Sequence, residues 1–264
     1  LAVGVGPSGD ALESAGTRGI NAHDEVLLRV ILLDAYDPNV PFVYPGELYV
    51  HSDGENRLVA RTGDEAPGTA GANFGNLATS SAGDGNTTVF NDAGDVLFVA
   101  DLVRDDITID TTNDSGIWLE RDGVLELIIR EGDAIPGVTQ EALGNPRAAL
   151  MNNSGHVVFS AGFADEFSID NGLWAYIADE QRFLEIARVC ELLDVSPAQD
   201  GSDMRTVDYV QDAYNTLSLN DNGQLLFQLR FTDGTWGNFV TTIPAPGVFA
   251  LFGLAGTALS RRRV

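Results

Sequence analysis

The sequence predicts an all-β fold, a β-propeller-like repeat architecture built from four-stranded antiparallel blades. Three observations carry that expectation. Composition is the first: 29 of 264 residues are Gly and 26 are Asp, against 13 Glu and no Lys. Gly and Asp favour turns over helix interiors. The second is a recurring tight turn followed by β-branched and aromatic residues, the pattern of a strand. The third is the recurrence itself, with Asn21, Asn91, Asn152 and Asn220 spaced 70, 61 and 68 residues apart. That length suits a four-stranded blade, and a β-solenoid is the main alternative.

Each unit opens on apolar-Asn-x-x-Gly-x-apolar-apolar-Phe. The copies begin near residues 20, 90, 151 and 219, with Asn21, then Asn91 and Gly94, Asn152 and Gly155, and Asn220 and Gly223. The first copy is degenerate at Gly and Phe. The motif predicts a turn in which Asn bonds back to the backbone and Gly supplies positive φ. A second signature reads Gly46-Glu47-Leu48-Tyr49, Gly116-Ile117-Trp118-Leu119 and Gly172-Leu173-Trp174-Ala175. A third closes the units: Ala60-Arg61-Thr62-Gly63-Asp64, Ile129-Arg130-Glu131-Gly132-Asp133 and, altered, Ala187-Arg188-Val189-Cys190-Glu191. Asp53-Gly54 and Asp122-Gly123 predict hairpins between the second and third signatures. A fourth strand fits the polar connection before the next Asn, as at Thr87-Thr88-Val89. The fourth unit reads as shortened, ending in a strand at 238–243. Phe183 to Val195 could hold a helical turn.

Three regions follow. Residues 1–19 are expected to end an upstream repeat, since Gly9-Asp10-Ala11-Leu12 resembles a closing signature. Residues 20–243 form the repeat body, and residues 244–264 form a tail. The chain starts Leu1-Ala2-Val3-Gly4, without a visible signal peptide.

Charge excludes one class of partner. The net charge is −24 and the pI about 4.1, so no basic footprint exists for nucleic acid. Hydrophobic residues make up 44%, too many for a disordered acidic tail. No catalytic motif appears: there is no Gly-x-Ser-x-Gly elbow and no P-loop. His23, His51 and His156 occupy different places in different units, so no metal site and no cofactor is predicted. Calcium is the one metal that Asn91-Asp92-Ala93-Gly94-Asp95 and Asn220-Asp221-Asn222-Gly223 could hold, with structural turns the favoured reading. Cys190 is expected to be a small buried hydrophobe. Arg61, Arg130 and Arg188 share one register and are expected to pair with a recurring Asp. Trp118 and Trp174 share a repeat position and are expected to pack blades. All three tryptophans, Trp236 included, could also stack on sugar rings.

The tail has its own order of parts. Pro244-Ala245-Pro246-Gly247 leads into an apolar run of 12 residues, then Arg261, Arg262 and Arg263. As a helix the run would span about 18 Å, short of the roughly 30 Å hydrocarbon core. This Pro-x-Pro, short apolar helix and Arg cluster resembles the PEP-CTERM sorting signal, with Ala245 in place of the family's Glu. The body resembles the tandem Asn-x-x-Gly-x-x-Ala-Phe repeat proteins of planctomycetes and related bacteria. The resemblance implies a bacterial protein exported to the cell envelope, cell surface or extracellular space. It also implies an exosortase-type processing enzyme as partner and the inner membrane as a temporary anchor. It implies no catalytic residues. The expected role is therefore a non-enzymatic scaffold near extracellular polysaccharide. The alternatives are a polysaccharide-active hydrolase or lyase, and a glycan-binding module.

Overall fold

The computed structural model describes residues 12–32, 46–77, 88–103, 108–137, 139, 141–163, 172–196, 200–211, 217–243 and 251–253. Among them there is no helix; the protein is all-β. Four antiparallel sheets follow one another along the chain. The first contains β1 (Leu12–Ile20), β2 (Val26–Leu32), β3 (Gly46–Ser52) and β4 (Glu55–Arg61), paired in that order. The second contains β5 (Phe74–Leu77), β6 (Thr88–Phe90), β7 (Val96–Leu102), β8 (Ser115–Arg121) and β9 (Val124–Arg130); β5 and β6 both pair with β7. The third contains β10 (Leu143–Met151), β11 (Val157–Phe163), β12 (Gly172–Ile177) and β13 (Arg182–Arg188). The fourth contains β14 (Leu192–Asp194), β15 (Met204–Val210), β16 (Ser218–Leu219), β17 (Gln224–Phe231), β18 (Trp236–Thr242) and β19 (Leu251–Gly253).

The Asn turns link β1 to β2, β6 to β7, β10 to β11 and β16 to β17. The strand before Asn therefore shares a sheet with the three after it, and residues 12–20 belong to the first sheet. The hairpins at Asp53-Gly54 and Asp122-Gly123 have positive φ at both central residues (52° and 83°, 52° and 78°). That geometry matches the twist of the flanking strands. Phe183 to Val195 holds no helical turn; it is the end of β13, a tight turn and β14.

Strand alternation divides the core into layers between sheets. In β7, Phe98 and Ala100 face the first sheet with Leu27, Leu48 and Val50. Their neighbours Leu97 and Val99 face the third sheet with Val157 and Phe159. In β11 the same alternation sends Val158 toward Leu225, Phe227 and Leu229 of the fourth sheet. Successive side chains on a strand point to opposite faces, so one strand feeds two cores. The strands that precede the Asn turns also neighbour one another: β1 touches β6, β6 touches β10, and β10 touches β16.

The expected C-terminal helix is not found. Of the run 248–259, the described residues Leu251–Gly253 are a strand antiparallel to β18. An edge strand leaves unpaired N–H and C=O groups, which a short segment can satisfy. Residues 9–11, Thr87, Pro244, Ala245, Pro246, Gly247, Arg261, Arg262 and Arg263 lie outside the described residues. No helix among the described residues is long and apolar enough to cross a membrane.

Candidate functional site

The four Asn turns form one continuous ladder across the sheets. Within each turn the Asn Oδ1 accepts backbone N–H groups ahead of it, such as Glu25 N to Asn21 at 3.1 Å and Asp95 N to Asn91 at 2.9 Å. His156 and Gln224 donate to Asn152 and Asn220 at 3.0 and 2.9 Å. The turn's Gly has positive φ at Gly94, Gly155 and Gly223, and Asp24 takes that conformation in the first copy. The Asn Nδ2 then crosses to the next repeat. Asn21 donates to Asn91 O at 3.3 Å, Asn91 to Asn152 O at 3.1 Å and Asn152 to Asn220 O at 3.3 Å. Asn220 turns its amide onto its own Gln224 at 3.0 Å.

A second rail runs through the following residue. Ala22 N donates to Asp92 Oδ1 at 2.8 Å, Asp92 N to Asn153 Oδ1 at 2.9 Å and Asn153 N to Asp221 Oδ1 at 2.9 Å. Asn153 Nδ2 bridges the carboxylates of Asp92 and Asp221 at 3.1 and 3.0 Å. The Ala22 amide and Asn153 hold the Asp92 carboxyl below its ordinary pKa. These oxygens, weighed above as calcium ligands, thus bind protein N–H groups. Among the described residues no three His, Cys, Asp or Glu side chains gather to hold a metal ion.

The second signature carries a contact that sequence alone did not reveal. Phe98, Phe159 and Phe227 lie opposite Trp118, Trp174 and Phe239, with ring centroids 6.3, 6.0 and 5.6 Å apart. Each large ring lies over the Gly two residues before it. A Cβ at Gly116 would sit 2.8 Å from Trp118, at Gly172 2.3 Å from Trp174 and at Gly237 2.6 Å from Phe239. Gly237-Asn238-Phe239 is therefore the fourth copy of the signature, in a unit whose strand begins at Trp236. In the first sheet the copy is displaced by one residue. Tyr49 lies opposite Leu28, and Glu47 opposite Arg61, where the second and third sheets place Gly116 and Gly172 opposite Arg130 and Arg188. Glu47, fully buried, receives the Tyr49 hydroxyl at 2.8 Å and the Arg61 guanidinium at 2.6 Å.

Among the described residues the recurring Arg form no close ion pair with a recurring Asp, although Arg130 lies near enough to Asp133 to oppose the upward shift of that carboxyl by burial. Arg61 pairs with Glu47, and Arg188 sits 3.2 Å from Glu191, 3.3 Å from Glu141 and 3.8 Å from Glu185. Arg130 donates to the Asn113 carbonyl at 2.7 Å. It also borders a cleft of about 480 Å³ between Ala70 and Ile109.

Two carboxyl groups stand well above their usual range. Glu131, buried beside Asp114, is pushed up to about 7 by burial and then by that neighbouring carboxylate. Ser115 Oγ lies 3.2 Å from its Oε2 and 3.0 Å from Asn145 Oδ1 of the third sheet. Glu185 is likewise raised to about 7, by burial and by Glu191.

Cys190 is exposed, contrary to the buried position expected. Its φ of 69° matches the 90° of Gly63 and 84° of Gly132. All three close the same turn: Gly63 N bonds Phe74 O at 2.8 Å, Gly132 N bonds Leu143 O at 2.8 Å and Cys190 N bonds Val207 O at 2.9 Å. The turn survives because its hydrogen bonds are made by backbone, so Cys occupies a glycine position.

The tryptophans separate clearly. Trp118 and Trp174 are fully buried, the former donating its indole N–H to Pro67 O at 3.1 Å; neither can stack on a sugar. Trp236 is 48% exposed. It lies in one cross-strand row with Arg230 and Tyr209.

No curated protein matches this chain. A family model described as a family of unknown function, DUF7453, matches residues 19–250, which takes in all four Asn turns. The chain therefore belongs to the DUF7453 family.

Proposed function

We propose that this protein is a non-enzymatic repeat scaffold, exported and sorted to the cell envelope or surface through residues 244–264. Its four sheets serve as blades of a propeller-like array, with the neighbouring strands that precede the Asn turns lining the axis. One observation carries the scaffold reading: most side chains that recur between units hold the structure to itself. The four Asn, the residues after them, the paired Arg and the stacked aromatics are all engaged within the protein. The sorting reading rests on the order of parts in the tail.

A polysaccharide hydrolase needs carboxylates that converge, one of them held protonated as the acid. Asp92 and Asp221 converge on Asn153, but the Asp92 carboxyl is lowered rather than raised. Glu131 is raised, yet it and Asp114 are buried in one sheet. Glu185 is raised beside Glu191, but both carboxylates are turned onto Arg188, at 3.8 and 3.2 Å, and the scaffold is the favoured reading.

The test is localisation in the native host. Deleting residues 244–264 is expected to abolish envelope retention and the mass change of processing. Because β19 lies in that segment, a second variant with Arg261, Arg262 and Arg263 changed to Gln keeps the strand and is expected to mislocalise equally. Unchanged location and mass in both variants would overturn the sorting reading.

A further inference from the structure

We infer that the outer face of the fourth sheet is a binding platform for a neutral polysaccharide chain, centred on Trp236. In the second and third sheets the face toward the next repeat is almost wholly apolar. It carries Leu97, Val99, Ile117 and Leu119 in one, and Val158, Leu173 and Ala175 in the other, all buried. At the corresponding positions of the fourth sheet stand Leu226, Gln228, Asn238 and Val240. Leu226 is 40% exposed, and Asn238 and Gln228 bond each other at 3.0 Å. This sheet is written for a polar surrounding on that side, so stacking of another repeat is disfavoured.

Beside the amide pair runs the row Tyr209, Arg230 and Trp236. The Tyr209 and Trp236 rings meet edge to face, 6.2 Å apart at 74°. The Arg230 guanidinium lies 5.4 Å from the Tyr209 ring and 5.7 Å from the Trp236 ring, and donates to Asp208 at 2.7 Å. The indole is thus held in place while about half of it stays open to solvent. A held aromatic plate loses little conformational freedom on binding. Its apolar face accepts the C–H face of a pyranose ring, and flanking amides, guanidinium and carboxylate match hydroxyl groups.

Charge and area choose the partner. A chain of net charge −24 repels polyanions, which favours a neutral polysaccharide. The exposed apolar side chains of this face, Leu192, Met204, Leu226 and Trp236, are scattered over four strands among polar groups. A stable dimer needs roughly 800 Å² per partner, so a second copy fits poorly. The tail adds β19 at the edge of this sheet but supplies none of the platform side chains, so the platform's failure would leave the sorting reading untouched.

The test uses the full chain with cellohexaose, laminarihexaose and maltohexaose as neutral probes and hexagalacturonate as the anionic one. Trp118 and Trp174 are buried, so acrylamide quenching reports on Trp236. Saturation with at least one neutral hexaose is expected to lower the quenching constant two-fold or more. Trp236→Ala is expected to weaken that binding at least ten-fold by calorimetry, with Trp236→Phe recovering part of it. Three outcomes would each overturn the platform: no neutral hexaose binds, Trp236→Ala binds equally well, or hexagalacturonate binds more tightly. A dimer that Trp236→Ala converts to monomer would assign the face to a second copy and overturn it as well.

Discussion

The second and third sheets bury both faces of their central strands, whereas the fourth buries one. β8, β11 and β12 are buried along nearly their whole length, while β17 alternates between buried and open positions. The difference shows that one repeat motif serves two environments. What changes is the residue between the conserved packing positions: Ile117 and Leu173 become Asn238, and Val99 becomes Gln228. The positions that face the previous repeat, Phe98, Phe159 and Phe227, remain aromatic. Each repeat is therefore built to lean on the one before it.

The sharpest way to break this comparison is to remove an indole from each environment. Trp174→Ala is expected to destabilise by about 3–5 kcal/mol, the range for a large buried aromatic. Trp236→Ala is expected to change stability by less than about 0.5 kcal/mol. Urea midpoints of both variants check this, and equal losses would mean that the fourth sheet's outer face is covered.

The buried Glu131 gives the next effect. Its folded pKa lies above its unfolded value, so the native state binds the extra proton. Its contribution is full below the unfolded value near 4.5 and is lost as pH rises through about 7. Glu131→Gln is expected to match the parent at pH 4 and exceed it at pH 8 by on the order of 2 kcal/mol. Thermal melts across that range would read it, and a variant weaker at pH 8 would contradict the assignment.

The ladder predicts a smaller asymmetry. Asn152→Ala loses both the cap of its own turn and the bond to Asn220, whereas Asn220→Ala loses only bonds within its own turn. Asn152→Ala is expected to cost about 1 kcal/mol more. The smallest effect is a gain: Cys190→Gly relieves a left-handed backbone and is expected to stabilise by about 0.5–1 kcal/mol. A loss of stability there would mean that the Cys190 side chain makes a contact the turn needs.

Much of the fold was legible from local chemistry. The Asn turns and the Asp-Gly hairpins appear where expected, because each depends on a few neighbouring residues; the strand before each Asn instead joins the sheet that follows it, not the unit before it. The fourth Gly-x-aromatic copy was hidden by its neighbour. Trp236 drew attention from Gly237-Asn238-Phe239, and only the stacking on Phe227 shows which ring is the repeat's own. The first copy was misread by one residue for a similar reason. Gly46 resembles Gly116, yet strand pairing aligns Glu47 with Gly116, because the buried carboxylate and Tyr49 hydroxyl replace the glycine-and-indole contact.

By itself the sequence determined the all-β class, the repeat period and the turns that set it. Those follow from backbone preferences and hydrogen bonds spanning at most four residues, which composition and spacing reveal. The tertiary structure alone decided that the turns bond to one another, that Arg61 and Arg188 meet Glu, and that Arg130 meets a backbone carbonyl. It also decided that Cys190 stands in a glycine's place, that residues 251–253 add a strand, and that Trp236 is open while Trp118 and Trp174 are closed. Most of these depend on partners 10 to 70 residues away, or on which face of a strand meets another sheet. A one-residue shift in pairing reverses that face, and no local pattern records the shift.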